Sequence, residues 1–142
     1  MASNYHLQRF IDQQDRVYEQ VLKELEVGKK QSCWMWYIFP QIYGLGCSQT
    51  AKAFSIKSID EAKAYLDHPL LGKRLKACTE LLIGLEDITA EDIFGYPDVL
   101  KFRSCMTLFA LASGQKEPLF ETALDKYFGG KMDEKTLSIL NV

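Results

Sequence analysis

Residues 98–113, with the sequence DVLKFRSCMTLFALAS, decide the fold of this chain. The segment is apolar nearly all the way round a helix, from Val99 and Phe102 near its start to Phe109 near its end. A helix without a polar face is enclosed by other elements on every side. The sequence therefore predicts a central helix over 98–113, which ends at Gly114 and around which the rest of the chain packs.

Helix signals recur on both sides of this segment. Apolar residues at three- and four-residue steps predict a helix from Asn4 to Val27 that ends at Gly28, although a polar cluster allows Asp15 to start a second helix there. Capping residues and helix-starting prolines predict further helices over 48–54, 58–67, 69–83, 89–94, 118–128 and 133–140. Period-two alternation is scarce, which argues against a sheet. We predict an all-α, compact bundle of about six to seven helices, forming one domain over 1–142.

Composition and charge restrict the possible functions. The chain has 142 residues and a net charge of −2, from 17 basic and 19 acidic residues, so bulk nucleic-acid binding is not expected. Its 4 cysteines show no Cys-x-x-Cys spacing and only 2 histidines accompany them, so we predict no metal or cofactor and expect free thiols in a reducing cytoplasm. The sequence shows no signal-peptide pattern and no apolar run of ~18 residues, so no membrane role is predicted.

An aromatic string, WMWYIFPQ at 34–41, is the most unusual local feature and contains both tryptophans of the chain. Its period is unreadable, so it fits either a short strand or a helical turn. Two interpretations of its role are compatible: the string is the largest wedge of the core, which we favour, or an indole of Trp34 or Trp36 lines a cleft for a flat ring. Gln41, at the end of the string, adds an amide that can reach the edge of such a ring.

Polar residues interrupt the apolar helix at Asp98, Lys101 and Ser104. A lysine on an enclosed helix must reach water, pair with a carboxylate or meet an anionic ligand, because an unpaired buried charge is very costly. The favoured interpretation is an internal pair between Asp98 and Lys101. The alternative is that Lys101, aided by Arg103 or Arg74, holds a phosphate or carboxylate.

Two further features have both a structural and a functional interpretation. His68 precedes a proline, so it either caps the next helix, which we favour, or serves as a general base or acid. The loop with Gly44 and Gly46 lets backbone approach closely, and Ser48 is placed to cap the helix that follows. Backbone amides at 46–48 would suit an anion, but the loop is neither a P-loop nor a dinucleotide fingerprint.

Taken together, these residues resemble the domain-of-unknown-function family 1810. The resemblance covers essentially the whole chain and rests on the run 33–48, on His68-Pro69 with Gly72 and Arg74, and on 93–95 with Asp98, Lys101 and 104–109. It implies a small, mainly helical domain without an established activity. Genomes often give members the name calpastatin, although calpain inhibitors of that name are long disordered chains. The chain departs from the family pattern at Cys33, where histidine is usual, and at Cys105, where serine is usual.

The functional hypothesis is an intracellular domain that binds a small anionic ligand with a planar ring, such as a nucleotide or an ADP-ribose-like metabolite. The predicted binding residues are Trp34 and Trp36 for the ring, Lys101, Arg74, Gly44, Gly46 and Ser48 for the charge, and Gln41, Asp98 and Ser104 for polar edges. An enzymatic alternative, hydrolysis or transfer on such a ligand, uses His68 or Asp98 as the base and Lys101 as the electrostatic stabiliser. A third hypothesis is a protein-interaction module with an aromatic groove.

Overall fold

The computed structural model describes residues 5–114 and 116–142, and within them the protein is all-α, as predicted. The only extended pairing in these ranges is a single parallel bridge between Ile42 and Ile56. The nine helices of these ranges are α1 Gln8–Val27, α2 Met35–Ile38, α3 Gln49–Ala53, α4 Ile59–Asp67, α5 Leu71–Ile83, α6 Ala90–Phe94, α7 Asp98–Ser113, α8 Leu119–Phe128 and α9 Glu134–Leu140. The number exceeds the predicted six to seven because three helices are very short: α3 and α6, whose segments were predicted, have 5 residues each, and α2, in the aromatic string with no readable period, has 4.

Helix α7 is central, as its composition predicts. It packs against α4, α6, α8 and α9, and its apolar side chains lie on every side within the core. The hydroxyls of Ser104 and Thr107 donate to the carbonyls of Leu100 and Arg103 one turn earlier, at 3.0 and 2.8 Å. These bonds satisfy the hydroxyls locally, so polar residues fit within an enclosed helix. None of the helices in the described ranges is long and apolar enough to cross a membrane.

Helix α1 is continuous through its polar cluster, so the alternative of a second helix starting at Asp15 is wrong. The predicted first residue, Asn4, lies outside the described residues. Gln14 lies on the buried face, where its amide nitrogen donates to the carbonyl of Tyr37 at 2.8 Å and to the hydroxyl of Tyr65 at 2.9 Å. Because these partners replace water, a polar residue fits the buried stripe.

Glu24 fixes the connection between α1 and α2. Its carboxylate accepts from the amides of Gln31 and Ser32, from the Ser32 hydroxyl and from the indole Nε1 of Trp34, at 2.7, 3.0, 2.6 and 2.9 Å. Burial raises the pKa of the carboxyl, but the hydrogen bonds from Gln31, Ser32 and Gln20 outweigh burial and lower the pKa to about 2. The carboxylate therefore sets the start of α2 and with it the positions of both tryptophans.

A close approach between backbones defines the turn from α4 to α5. A Cβ on Gly72 would lie 2.0 Å from the carbonyl oxygen of Leu66, so only glycine fits there. The tight turn packs α4 and α5 together beneath α7 and α8.

Candidate functional site

A cleft of about 800 Å³ opens beside the first half of α7, and we call it the α7 cleft. Its walls come from the loop after α2, from the start of α3, from α7 and from the turn that leads into α9. Among the residues selected from the sequence, Trp36, Gln41, Gly46, Ser48, Lys101 and Ser104 line it, together with Arg103. The other lining residues are Leu45, Cys47, Ala51, Pro97, Leu100, Lys131, Asp133, Glu134 and Lys135.

Lys101 joins the charged and aromatic parts of the cleft. Its ammonium Nζ lies 4.4 Å from the centre of the half-buried Trp36 ring and 2.9 Å from Oδ1 of Asp98. The second carboxylate oxygen of Asp98 lies 2.8 Å from Nζ of Lys30. The internal Asp98–Lys101 pair is thus present, and its lysine also faces the cleft. Because one carboxylate serves two lysines, the cluster keeps a net positive charge.

Lys30 and Lys101 change the pKa of the Asp98 carboxyl. Partial burial raises its pKa, but the hydrogen bonds and charges of Lys30 and Lys101 outweigh burial and lower it. A carboxylate with a lowered pKa is a weaker base than an ordinary one. Asp98 itself lies behind Lys101 and does not line the cleft.

The turn into α9 and the end of the cleft beside it carry further positive charge. Arg103 donates from Nε to the carbonyl of Lys131 at 2.9 Å and from Nη2 to that of Met132 at 3.1 Å, which fixes the turn before α9. Lys131 and Lys135 are exposed at this wall, and the described residues contain no ion pair with either. Two acidic side chains, Asp133 and Glu134, share the wall, but the Asp133 carboxylate already accepts two hydrogen bonds as the cap of α9.

Gln41 differs from the other polar residues of the cleft. It is only 5 % exposed, and its backbone carbonyl accepts from the amide of Ile56 at 2.8 Å. Its side-chain amide has no hydrogen-bond partner in the described residues, and those residues contain no fully enclosed side-chain nitrogen or oxygen without a partner. The amide of Gln41 must therefore reach the open space of the cleft.

The glycine-rich loop contributes shape to the cleft. A Cβ on Gly46 would lie 2.6 Å from the Cβ of Ala51 and 3.1 Å from Cη2 of Trp36, so glycine lets the loop press against the indole. The hydroxyl of Ser48 accepts from the amide of Ala51 at 3.0 Å and caps α3, as predicted. Gly44 has a φ of 108° and lies beside Ile139, outside the cleft. These contacts give the loop a packing role, and the helix that follows it, α3, has only 5 residues.

The family profile described as "Protein of unknown function (DUF1810)" matches residues 4–140. The chain belongs to the DUF1810 family. It is similar to the conserved hypothetical protein Rv1873 from Mycobacterium tuberculosis, with 45 % identity, 99 % of each chain covered and a TM-score of 0.96 for the crystal structure. No curated protein matches the chain. The predicted resemblance is thus confirmed, and the DUF1810 fold is one already seen by crystallography.

Trp34 of this DUF1810 protein lies in the core, which corrects its prediction as a ring-binding residue. The side chain is 1 % exposed, its Nε1 donates to Glu24, and its ring lies against Phe39. Residues two apart in a helical turn point to opposite sides, so Trp34 and Trp36 cannot line the same surface. The favoured interpretation as a core wedge holds for Trp34, and the cleft interpretation holds for Trp36.

Arg74 is also outside the α7 cleft, contrary to its prediction as a ligand for charge. Its guanidinium donates to Oδ1 of Asp15 at 2.9 Å and to Oε1 of Gln14 at 3.3 Å, and it covers the ring of Tyr18 at 4.8 Å. These contacts clamp α5 to α1. Local sequence patterns do not predict these contacts, because the partners lie about 60 residues earlier in the chain.

His68 is a helix cap rather than a cleft residue. Its Nδ1 accepts from the amides of Leu70 at 3.1 Å and Leu71 at 3.3 Å, at the start of α5. The imidazole thus satisfies two amides that have no partner within the helix. This geometry matches the capping interpretation and leaves the general base predicted at His68 without access to the cleft.

Sequence reasoning missed Lys131 and Lys135 of the DUF1810 cleft. They follow a helix that ends at Gly129, and nothing in the local sequence distinguishes them from ordinary surface lysines. Only the docking of α9 against α7 brings them to the same cleft as Lys101. Within the described residues, no group of three or more His, Cys, Asp or Glu side chains is arranged to hold a metal ion.

Proposed function

We propose that this DUF1810 protein binds a small anionic molecule with a planar ring, of the nucleotide or ADP-ribose-like kind, in the α7 cleft. The observation that carries the proposal is the position of the Lys101 ammonium, 4.4 Å from the centre of the Trp36 ring. Ring surface and positive charge adjoin in one concave site of suitable size. A ligand that combines a flat ring with a phosphate or carboxylate matches both features.

In the proposed complex, the ring lies against Trp36 and the anion meets Lys101 and the basic side chains at the turn into α9. Lys101 can turn from Asp98 to the anion at low cost, because Lys30 stays paired with the same carboxylate at 2.8 Å. Arg103 keeps its two bonds to the turn before α9 and has further N–H groups to offer. The proposal is a binding function and includes no reaction, since His68 and Asp98 do not line the cleft.

The test combines a thermal-shift screen with calorimetric titration of AMP and ADP-ribose. We expect wild-type protein to bind at least one of them, with a rise in melting temperature. Lys101→Met should weaken that binding by roughly 10- to 100-fold, as expected for loss of a charge-assisted hydrogen bond. The methionine keeps the apolar stem of the side chain, so the fold should persist.

The matched control is Lys76→Met. Lys76 also pairs with a carboxylate, that of Glu117 at 3.3 Å, but it lies away from the α7 cleft. This variant should bind as the wild type does. Equal affinity of the Lys101 variant and the wild type would overturn the proposal, and so would the absence of binding by every ring-bearing anion in the screen.

A second candidate function is a groove for a protein segment. Leu100, which lines the cleft, is 46 % exposed, and Tyr96 nearby in the chain is 78 % exposed. Large apolar side chains exposed beside a cleft are typical of interaction surfaces. Peptide selection against the wild type, with counter-selection on Leu100→Glu, should enrich acidic and aromatic sequences if this function is correct. Random sequences from the selection would exclude it.

A further inference from the structure

Gln41 is nearly buried at the α7 cleft, and the state of its side-chain amide favours a ligand there. Burying an amide without hydrogen bonds is unfavourable. Gln14, the other buried glutamine of the described residues, makes three side-chain hydrogen bonds, with Tyr37, Tyr65 and Arg74. Gln41 is 5 % exposed and its amide has none.

The backbone around Gln41 holds this amide in place. Its carbonyl accepts from Ile56 at 2.8 Å, and the amide of Tyr43 donates to the Ile56 carbonyl at 2.7 Å, which forms the parallel bridge between the two segments. Pro40, directly before it, is buried and restricts the chain further. The side chain therefore starts from a fixed point and is presented to the cleft before any ligand arrives, which lowers the entropic cost of binding.

The amide's own chemistry narrows the class of ligand. A glutamine amide presents an N–H donor and a carbonyl acceptor side by side in one plane. A bare phosphate or carboxylate offers only acceptors, so it would leave the carbonyl without a donor. A ring edge with an exocyclic N–H next to a ring nitrogen satisfies both atoms, and the pairing of glutamine with the amino group and N7 of adenine is of this type.

We propose that Gln41 is the specificity-determining residue of the cleft and that it selects a 6-aminopurine nucleotide by pairing with the amino edge of the base. The inference rests on the proposed function and deepens it. The base would lie against Trp36 while its edge meets Gln41, and the phosphate would meet Lys101 on the same side of α7. Each group thus contacts a different part of one molecule.

Three probes with the same ribose 5-phosphate isolate the contribution of the base edge. AMP has the full edge, purine riboside 5′-monophosphate lacks only the amino group, and ribose 5-phosphate lacks the ring. We expect the wild type to bind AMP more tightly than purine riboside 5′-monophosphate by about 5- to 150-fold, the discrimination of one paired contact. Ribose 5-phosphate should bind more weakly than both.

Gln41→Met should abolish the preference for AMP over the purine analogue, because methionine fills similar space without donor or acceptor. Gln41→Glu is a second variant of nearly the same shape; it removes the N–H donor to the ring nitrogen but keeps an acceptor for the amino group, so it should weaken the binding of both nucleotides and keep the preference for AMP. Gln49→Met, an exposed glutamine on α3, is the control and should keep the wild-type preference. Melting temperatures of all variants establish that they are folded.

The outcomes separate this inference from the proposed function. If the wild type binds AMP and the purine analogue equally, or if Gln41→Met keeps the preference, the role of Gln41 is overturned while ring and anion binding stands. If ribose 5-phosphate binds as tightly as the nucleotides, the ring is not recognised and both proposals fail. If no probe binds, both are likewise overturned.

Discussion

The indole Nε1 of Trp34 donates a hydrogen bond of 2.9 Å to Oε1 of Glu24, inside the protein. Through this contact, the end of α1 fixes which of the two tryptophans enters the core. Trp34 is held inside, and Trp36, on the other side of the same helical turn, is left at the α7 cleft beneath Lys101. The geometry of the cleft therefore depends on a carboxylate that lies outside it.

Glu24→Gln should destabilise the protein by about 1–3 kcal/mol, because the amide cannot accept from all of the donors that the carboxylate serves and buried donors lose their partners. Urea unfolding at pH 7 measures the change. Glu26→Gln, an exposed glutamate on the same helix, is the control and should lie within about 0.5 kcal/mol of the wild type. Equal losses in the two variants would show that Glu24 has no special role.

Acid should lower the free energy of unfolding, in part by protonating Glu24. Its pKa is raised by burial but lowered overall to about 2 by the hydrogen bonds it accepts, below the value of about 4.3 for an unfolded glutamate. A lowered pKa means that the stabilising contribution is present above pH 5 and is lost as pH falls toward 2. Unfolding free energies between pH 6 and 3 should fall less steeply in Glu24→Gln than in the wild type. Parallel slopes would contradict this prediction.

The two tryptophans should give separable fluorescence signals. Trp36→Phe leaves only buried Trp34, so emission should be blue and weakly quenched by acrylamide. Trp34→Phe leaves only half-buried Trp36, so emission should shift to the red and quench more strongly. Trp34→Phe should also cost about 1–3 kcal/mol of stability, because a buried hydrogen bond to a charge is lost. Stronger quenching of Trp34 than of Trp36 would contradict the assignment of Trp36 to the cleft.

The thiols should divide into two classes of reactivity. Cys33 and Cys47 are exposed, whereas Cys78 and Cys105 are buried. Burial raises the pKa of both buried thiols, that of Cys78 to about 12, so neither forms thiolate near neutrality. Titration with Ellman's reagent should show two of the four thiols reacting in the folded protein and the remaining two only after unfolding. Cys47→Ser should halve the fast phase, and four equally fast thiols would contradict the prediction.

Much of the helical framework was readable from local sequence. The apolar circumference of 98–113 predicted α7 and its central position, and Ser48, Pro118 and Asp133 marked the starts of α3, α8 and α9. Such signals are reliable because a helix is built from bonds between residues only four apart, and its caps use side chains within the same turn.

The composition of the cleft was only partly readable. Trp36 was selected from the sequence for its flat ring, Gln41 for an amide that can reach the edge of a bound ring, and Lys101 because a charge on an enclosed helix needs a partner. Arg74 was selected for its charge, but Asp15 on α1 already satisfies it. Whether a charge is free or paired depends on contacts distant in the chain, which no local pattern reports.

The sequence by itself determined that this protein is an all-α DUF1810 domain wrapped around one enclosed helix, since apolar periodicity and capping are local properties. Only the tertiary structure decided that Trp34 is core while Trp36 faces the cleft, and that Lys131 and Lys135 line the same cleft as Lys101. The physical reason is that burial and charge pairing are set by how helices dock. Docking brings together residues that are far apart in the chain, and it alone leaves the amide of Gln41 open to the cleft.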